Sequence, residues 1–377
     1  MKIIQASKEI NQEWHYFQEK KTLNNPLVLV FGNRYLLEKT EQIEMIRAEF
    51  PYKHLVFGST SGEIVDCNVT DDSITVTAIE FEKSSFVVKR GNIFDFQKNA
   101  QTLGQALYEE MPKENLKHLF VLSEGSFVNG SSLINGLETH INANISITGG
   151  MCGDDARFEK TLASYQENPK EGEVILIGFY GQSLEISFAS FGGWEPFGPE
   201  RIITKSENNI LYEIDEQPAL DLYKKYLGAK SNELPQASLL YPLNVTPDDK
   251  NEPVVRTILN INNQDQSMIL AGDVPVNSRV QLMMASVDGV AQGAQKAAEI
   301  AMKARIKPPE LSILVSCIGR KLVMSQRVEE ELELVRDVVG NNVPMTGFYS
   351  YGEMAPFNGN NACELHNQTM TLTLISE

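Results

Sequence analysis

The chain has 377 residues, of which 42% are hydrophobic and 22% are charged. This composition is typical of a globular protein, and a chain of this length is expected to fold as two domains. With 33 Lys and Arg residues against 50 Asp and Glu residues, the formal net charge is -17. Such a charge repels phosphate backbones and anionic lipid, so we expect no binding to nucleic acid or to a membrane surface.

The cysteines and the N-terminus indicate the cellular compartment. The four cysteines, Cys67, Cys152, Cys317 and Cys363, are far apart and form no C-x-x-C pair, which argues against a structural zinc site and a disulfide framework. The first residues, MKIIQASKEINQEW, lack the apolar segment of a signal peptide. No apolar run approaches the roughly 20 residues of a membrane-spanning helix. We therefore expect a cytoplasmic protein with no membrane insertion.

After an N-terminal lead (1–25), the chain begins with a strand–helix–strand unit. Residues 26–32, PLVLVFG, form a continuous apolar run that predicts a strand buried on both faces. Apolar residues then recur at helical spacing over 37–50, before Pro51. Residues 54–64, HLVFGSTSGEI, predict a second strand that runs into a Gly-Ser-Thr turn.

The same order of elements returns twice. The second unit has a strand at 119–123, a helix with Leu133, Leu137 and Ile141 on one face, and a strand and turn at 145–155, ISITGGMCGDD. The third unit has a strand at 311–315, a helix carrying Val328, Leu332 and Val335, and a strand and turn at 343–353, VPMTGFYSYGE. We interpret these units as a repeated architecture.

The units predict a mixed α/β fold of two related domains, each with a mixed β-sheet flanked by helices. We place the boundary near residue 220, giving domains at 26–220 and 221–377. Strands at 74–79 and 370–374 alternate Thr with apolar residues, which predicts half-exposed strands. Residues 173–180 and 184–191 predict a hairpin about Gly181.

The sequence contains none of several common catalytic motifs. It has no G-x-x-x-x-G-K-[ST] phosphate loop, no G-x-S-x-G elbow, no H-E-x-x-H and no G-x-G-x-x-G after a strand. Nothing in it therefore supports an NTPase, a serine hydrolase of the usual fold, a zinc peptidase or a dinucleotide enzyme.

The turns that end the three units are the first candidate site. Ligands of α/β domains favour the carboxyl ends of strands, where loop amides and short side chains converge. We name Thr60, Glu63, Asp154, Tyr351 and Glu353 as candidate contacts, the carboxylates as polar anchors and the tyrosine as a wall. The competing interpretation is that each segment is only a tight turn with a capping carboxylate.

Cys152 and the adjacent Asp154 and Asp155 are the candidates for an enzymatic function. A reactive thiolate needs a nearby base or positive potential. The neighbouring carboxylates would instead raise the thiol pKa, with only Arg157 opposing them. A buried or loop thiol is therefore the favoured interpretation, and we assign no catalytic residue.

His366 lies in a polar run, His-Asn-Gln-Thr, before the last predicted strand. Three interpretations remain open for this residue: a hydrogen-bonded structural histidine, a ligand contact oriented by Asn367, or an axial ligand to haem iron. No metal site is predicted unless haem binds His366, and no C-x-x-C-H attachment motif accompanies it.

These motifs resemble, in order, those of the FIST family, bacterial sensory proteins with a FIST N domain followed by a FIST C domain. The matching segments are 57–64 (FGSTSGEI), 149–155 (GGMCGDD), 272–275 (GDVP), 347–353 (GFYSYGE) and 365–369 (LHNQT). The resemblance covers the chain from about residue 26 to its end. The family pattern has a small residue where Cys152 stands, so this cysteine is not carried over as catalytic.

The resemblance implies a sensor rather than an enzyme. Family members are thought to bind small molecules, amino acids among the suggestions, and to signal through histidine kinases or other proteins; some bind haem and sense nitric oxide. We expect a small-molecule ligand, with Thr60, Glu63, Cys152, Asp154, Tyr351, Glu353, His366 and Asn367 around it, and a separate signalling partner. A haem-based gas sensor is the alternative.

Overall fold

The computed structural model describes residues 1–248, 253–303, 305–357 and 361–377. Within these ranges the chain forms four β-sheets connected by short helices. The strands are β1 (Lys2–Glu9), β2 (His15–Tyr16), β3 (Leu27–Gly32), β4 (His54–Ser59), β5 (Glu63–Val65), β6 (Asn68–Thr70), β7 (Ser73–Glu80), β8 (Ser85–Asn92), β9 (Leu116–Ser123), β10 (Ser146–Met151), β11 (Ala163–Tyr165), β12 (Glu173–Tyr180), β13 (Glu185–Phe191), β14 (Glu195–Glu207), β15 (Ile210–Ile214), β16 (Gln217–Pro218), β17 (Leu243–Thr246), β18 (Val254–Arg256), β19 (Ile258–Asn262), β20 (Ser267–Leu270), β21 (Arg279–Met284), β22 (Leu311–Cys317), β23 (Met345–Ser350), β24 (Gly352–Pro356), β25 (Cys363–His366) and β26 (Met370–Ser376). The α-helices are α1 (Arg34–Leu37), α2 (Thr40–Glu49), α3 (Ala100–Glu109), α4 (Gly130–Glu138), α5 (Ala219–Leu227), α6 (Val287–Lys303), α7 (Ile318–Met324) and α8 (Glu329–Val339).

The three predicted strand–helix–strand units are confirmed, and each forms the centre of its own sheet. The parallel pairs are β3 with β4, β9 with β10, and β22 with β23. In each sheet an antiparallel strand flanks the first member of the pair: β7, β12 and β26 respectively. The sheet orders are β11-β4-β3-β7-β1-β2, β25-β24-β10-β9-β12-β8 and β13-β26-β22-β23-β5-β6. The N-terminal lead contributes β1, which pairs with β7.

These three sheets exchange strands in a closed ring. The strand that follows each unit's final turn leaves its own sheet and pairs with the second parallel strand of another unit. Thus β5 joins β23, β24 joins β10, and β11 joins β4. Each turn therefore lies where the chain crosses from one sheet to the next. This arrangement places the three turns close to one another.

The inner faces of the three sheets share one hydrophobic core, with helices on the outside. Phe31, Phe120 and Phe348 come from different sheets and lie in the same buried cluster. Burial of each such side chain is worth about 1.5–3 kcal/mol. Helix α2 packs Ile43 and Ile46 on the first sheet, α3 and α4 cover the second sheet, and α6 and α8 cover the third.

A fourth sheet has its own core. Its strand order is β18-β17-β21-β14-β15-β20-β19, with β16 paired to β15, and α5 packs on it through Leu220 and Tyr223. Within this sheet β19 and β20 form an antiparallel hairpin. This sheet lies against the second sheet near α4 and β25, and that contact positions the site described below.

The hairpin predicted at 173–191 is wrong. Its two strands exist, as β12 and β13, but β12 pairs with β9 and β8 in the second sheet whereas β13 pairs with β26 in the third. The apolar pattern correctly indicated two strands, but the other strands of each sheet provide their partners.

The half-exposed strands predicted at 74–79 and 370–374 are also wrong, because β7 and β26 are buried along their whole length. Thr77 and Thr373 on these strands face other sheets. The Thr77 hydroxyl donates to Thr346 Oγ1 at 2.8 Å, and the Thr373 and Thr148 hydroxyls share a hydrogen bond of 2.7 Å. Threonine is thus a buried hydrogen-bonding residue here rather than a mark of solvent exposure.

Candidate ligand-binding site

The three strand-end turns meet, as their position at the sheet crossings requires. Gly153 N donates to Ser59 O at 2.9 Å, Ser61 N donates to Tyr349 O at 2.8 Å, and Tyr351 N donates to Met151 O at 3.1 Å. The approach is close: a Cβ at Gly153 would lie 2.2 Å from Ser61 Oγ. The three turns therefore converge as predicted, but they do so by forming backbone hydrogen bonds with one another.

Glu63 carries a buried carboxylate at the first turn. Its Oε1 accepts a hydrogen bond from Thr60 Oγ1 at 2.5 Å, and its Oε2 accepts one from Ser73 Oγ at 2.6 Å. The side chain is 1% exposed, and burial raises its pKa to about 7. Thr60 and Glu63 thus lie together, tied to the start of β7.

Glu353 repeats this arrangement at the third turn. Ser350 Oγ, three residues earlier, donates to its Oε1 at 2.6 Å, while Thr369 donates to Oε2 from its amide at 3.1 Å and its hydroxyl at 2.9 Å. Burial raises the Glu353 pKa to about 8. Both glutamates therefore join a turn to the start of the antiparallel strand that flanks the same unit, β7 for Glu63 and β26 for Glu353.

Asp154, at the second turn, is fully buried and neutralised by arginines. Its Oδ1 accepts hydrogen bonds from Arg34 Nε at 3.0 Å and from Arg157 Nη2 at 2.7 Å, while Lys160 N donates to Oδ2 at 3.3 Å. The adjacent Asp155 is half-exposed and also lies near Arg157. This cluster fixes the loop that leads to β11.

Cys152 is completely buried in the core shared by the three sheets. Burial raises the pKa of its thiol, and the Glu124 carboxylate raises it further. A thiol of this kind is a poor nucleophile at neutral pH.

We expect Cys152 to resist alkylation in the native protein. Iodoacetamide labelling read by peptide mass spectrometry should modify the half-buried Cys67 first and Cys152 about tenfold or more slowly, because the thiolate is the reacting form. Unfolding in urea should remove the difference. Preferential labelling of Cys152 in the folded protein would support the hypothesis that Cys152 is a nucleophile.

His366 and Asn367 are buried at the contact between β25 and the fourth sheet. His366 pairs with Glu353 across β24 and β25, and its Nε2 donates to Ala355 O at 2.9 Å. Burial lowers its pKa to about 4, so the ring is neutral. Asn367 Oδ1 accepts a hydrogen bond from Thr257 N at 3.3 Å, which attaches this segment to the fourth sheet.

This environment does not fit an axial haem ligand. Axial ligation needs a ring nitrogen directed at the iron and space for the porphyrin beside it. The Nε2 atom of His366 is held by a backbone carbonyl, and Phe357 packs against the ring edge-on with centroids 5.0 Å apart. We therefore derive no function through haem.

A cavity of about 640 Å³ lies where the second sheet meets the fourth. One wall is the loop before α4, the opposite wall is β19, β20 and the residues after them, and Tyr351 and Phe158 form a third. The bordering residues are Gly125, Ser126, Phe127, Val128, Asn129, Gly130, Met151, Phe158, Glu159, Asn209, Leu259, Asn260, Ile269, Leu270, Ala271, Gly272, Tyr351 and Leu365.

Tyr351 is held firmly in this wall. Its hydroxyl accepts a hydrogen bond from Phe158 N at 2.9 Å and donates one to Asp155 O at 3.1 Å. Its ring stacks on that of Phe158, with centroids 4.3 Å apart and planes 18° from parallel. Of the eight predicted site residues, Tyr351 is the one that borders this cavity. The loop at 125–130 and the Ala271-Gly272 segment were not predicted as contacts, although glycines mark both.

Comparison with known families identifies the chain. Residues 26–217 match the FIST N domain, and residues 219–356 match the FIST C domain. The chain belongs to the FIST family. FIST domains are associated with sensory signal transduction and small-ligand binding. The boundary at residue 220 and the end at 377 stay predictions, since β25 and β26 complete sheets that also contain strands from the first half.

Relatives of this FIST protein are uncharacterized. It is 23% identical over 268 residues to an uncharacterized protein of Mycobacterium tuberculosis strain H37Rv, an alignment that covers 68% of this chain and 67% of the relative. It is 24% identical over 222 residues to an uncharacterized protein of Methanocaldococcus jannaschii, covering 55% of this chain and 41% of the relative.

The residues that the structure describes bear on membrane insertion and on metal binding. No helix among them is both long and apolar enough to span a bilayer. No group of three or more His, Cys, Asp and Glu side chains in the same ranges is arranged to hold a metal ion.

Proposed function

We propose that this FIST protein is a cytoplasmic sensor that binds a small molecule in the 640 Å³ cavity and signals through a separate protein. The observation that carries the proposal is the position of the cavity. Its walls come from both matched segments, with Gly125 to Glu159 on one side and Leu259 to Gly272 on the other. A ligand there would touch both domains at once.

The size and chemistry of the cavity support a small organic ligand. Ligand cavities typically measure about 300–1,000 Å³ and combine apolar walls with a few polar groups. The stacked Tyr351 and Phe158 rings offer an apolar, rigid surface. Ser126, Asn129 and Asn260 offer hydrogen-bonding side chains. An amino-acid-like molecule, the ligand suggested for the family, has a suitable size and mixed polarity.

The location also supports a signalling role. A ligand shifts a conformational equilibrium only when it binds one conformation better than another. A ligand that contacts two sheets with separate cores would bind the two conformations with different affinity. Closing the fourth sheet on the second would bring both walls of the cavity closer to the ligand. The resulting change at the surface would be recognised by a partner, such as a histidine kinase. No catalytic residue enters this proposal.

A blocking variant tests the site. Ala271 borders the cavity and is half-buried, so Ala271→Phe should fill part of it while retaining the backbone hydrogen bond from Ala271 N to Thr257 O. Compounds that raise the melting temperature of the wild type in a metabolite screen should lose about tenfold or more in affinity for this variant, as overpacking displaces them.

Ala143→Phe, at an exposed position outside the cavity, is the matched control and should bind like the wild type. Affinities of the screened compounds would be measured by calorimetry on the three proteins. Equal affinities for wild type and Ala271→Phe would contradict this site.

A further inference from the structure

We propose that a second, smaller chamber binds the carboxylate group of a small organic acid at Arg256. The chamber has a volume of about 220 Å³ and lies between α4, the end of β18, the loop after β20, and β25. Ser131 and Asn135 border it from α4, and Arg256, Asp273 and Glu364 border it from the other elements. Gly272 and Leu365 stand between it and the larger cavity, so this proposal does not depend on the function proposed above.

Arg256 presents hydrogen-bond donors to this chamber. The residue is 4% exposed; its Nε donates to Asp273 O at 3.0 Å, and its Nη1 donates to Leu365 O at 2.7 Å and Val255 O at 3.5 Å. Within the described ranges, Nη2 has no acceptor and the guanidinium forms no ion pair. A buried arginine normally finds a carboxylate, since an uncompensated buried charge is costly.

The guanidinium remains charged at neutral pH. Burial lowers the Arg256 pKa to about 10, while the Glu364 and Asp273 carboxylates oppose that change. The chamber therefore contains a cation whose nearest protein contacts are neutral carbonyl groups. An anion at Nη2 would form a charge-assisted hydrogen bond there.

Ser131 supplies a second donor. Its Oγ is buried and has no hydrogen-bond partner among the described residues, although it borders the chamber from the first turn of α4. Buried hydroxyls are normally satisfied, so an unpaired one indicates a missing partner. A carboxylate has two oxygens, and these match the two donors, Arg256 Nη2 and Ser131 Oγ.

Charge and volume favour a monocarboxylate over phosphate. Asp273 borders the same chamber and would repel a dianion more strongly than a single negative charge. A volume of about 220 Å³ corresponds to roughly seven water molecules at about 30 Å³ each, which accommodates an acid of a few carbon atoms.

The test uses propionate, its neutral isostere propionamide, and inorganic phosphate on the full chain, with binding measured by calorimetry and by saturation-transfer NMR. We expect propionate to bind and both other probes to bind about tenfold or more weakly, because propionamide lacks the charge for a charge-assisted hydrogen bond and phosphate brings more negative charge beside Asp273. Arg256→Gln should lose propionate binding by a similar factor.

Arg305→Gln is the matched control. Arg305 also donates to backbone carbonyls, those of Leu374 and Lys307, but it borders neither cavity, so its substitution should leave propionate affinity unchanged. Ser131→Leu narrows the chamber and leaves every hydrogen bond of Arg256 intact. If Arg256→Gln fails to fold, loss of propionate binding in Ser131→Leu tests the chamber instead. Ala271→Phe, which fills the larger cavity, should still bind propionate.

Three results would overturn the proposal: no propionate binding to the wild type, equal binding of propionamide or phosphate, or unchanged propionate affinity in folded Arg256→Gln and Ser131→Leu. Loss of ligand binding in Ala271→Phe alone would concern the larger cavity and not this chamber.

Discussion

Arg320→Met is expected to lower the free energy of unfolding by about 3–5 kcal/mol, the usual cost of leaving a buried charge without its partner. Arg320 on α7 and Glu331 on α8 are both fully buried, and the guanidinium donates to Glu331 Oε2 from Nε at 3.0 Å and from Nη2 at 2.7 Å. Ser316 Oγ and the Tyr349 hydroxyl donate to the other oxygen of Glu331. Without Arg320, this enclosed carboxylate loses its ion-pair partner.

The same arginine joins three parts of the chain. Its Nη1 donates to the Gly192 carbonyl and its Nη2 to Val290 O, so its loss also removes hydrogen bonds to the segment before β14 and to α6. Urea unfolding followed by circular dichroism and by tryptophan fluorescence would measure the effect, since Trp194 lies beside this network through its bond to Gln368 O.

Arg327→Met is the control for this experiment. Arg327 forms ion pairs with Asp288 and Glu330 close to Arg320 in sequence, but all three side chains are exposed. Solvent screening weakens such exposed pairs, so little change is expected. Equal destabilisation by the two substitutions would contradict the assigned role of burial.

Relative to the Glu353→Gln variant, the wild type is expected to lose stability as the pH rises from 5 to 9. The folded pKa of Glu353 is about 8, above the ordinary value of 4.5. The native state therefore binds this proton more tightly than the unfolded state does. The stabilisation is complete below the unfolded pKa and is lost as the pH rises through the folded one.

The expected loss of unfolding free energy from Glu353 is several kcal/mol, at roughly 1.4 kcal/mol for each unit of difference between its folded and unfolded pKa. The glutamine side chain introduced by Glu353→Gln reproduces the protonated form, since its amide nitrogen can donate to Ser350 Oγ while its oxygen accepts from Thr369. Urea unfolding at pH 5, 7 and 9 would measure the slope. Glu63, with a pKa of about 7, adds a smaller contribution of the same sign.

Exposed Glu44, on α2, serves as the control position for this measurement. Glu44→Gln should unfold like the wild type in each buffer, because this side chain is exposed to solvent. If Glu353→Gln also retained the wild-type slope, Glu353 would not hold the proton in the native state.

Much of the local structure is predictable from the sequence. The continuous apolar runs at β3, β9 and β22 and the helical spacing after them identify the three units, because burial on both faces of a parallel strand leaves a pattern in consecutive residues. The glycine-rich turns were also recognisable. Their convergence follows from their place at strand ends.

The site was predictable only in part. Tyr351 was recognised because it stands in a turn next to glycine, and it does border the larger cavity. Glu63, Glu353, Asp154, His366 and Asn367 stand out equally in the sequence, yet their hydrogen bonds are made within the protein. A polar residue beside a glycine looks the same in sequence whether its partner is a ligand or another strand. Arg256, a charged residue within an apolar strand, is the sequence feature that marks the proposed smaller chamber.

The type, order and approximate limits of the repeated elements follow from the amino-acid sequence, since these depend on neighbours within one turn or one strand. Strand pairing depends instead on contacts between distant parts of the chain. The exchange of β5, β11 and β24 among the sheets, the separation of β12 from β13, and the burial of the threonines on β7 and β26 all depend on residues far away in the chain. Both cavities arise from the same cause, because their walls meet only after the fourth sheet has packed against the second.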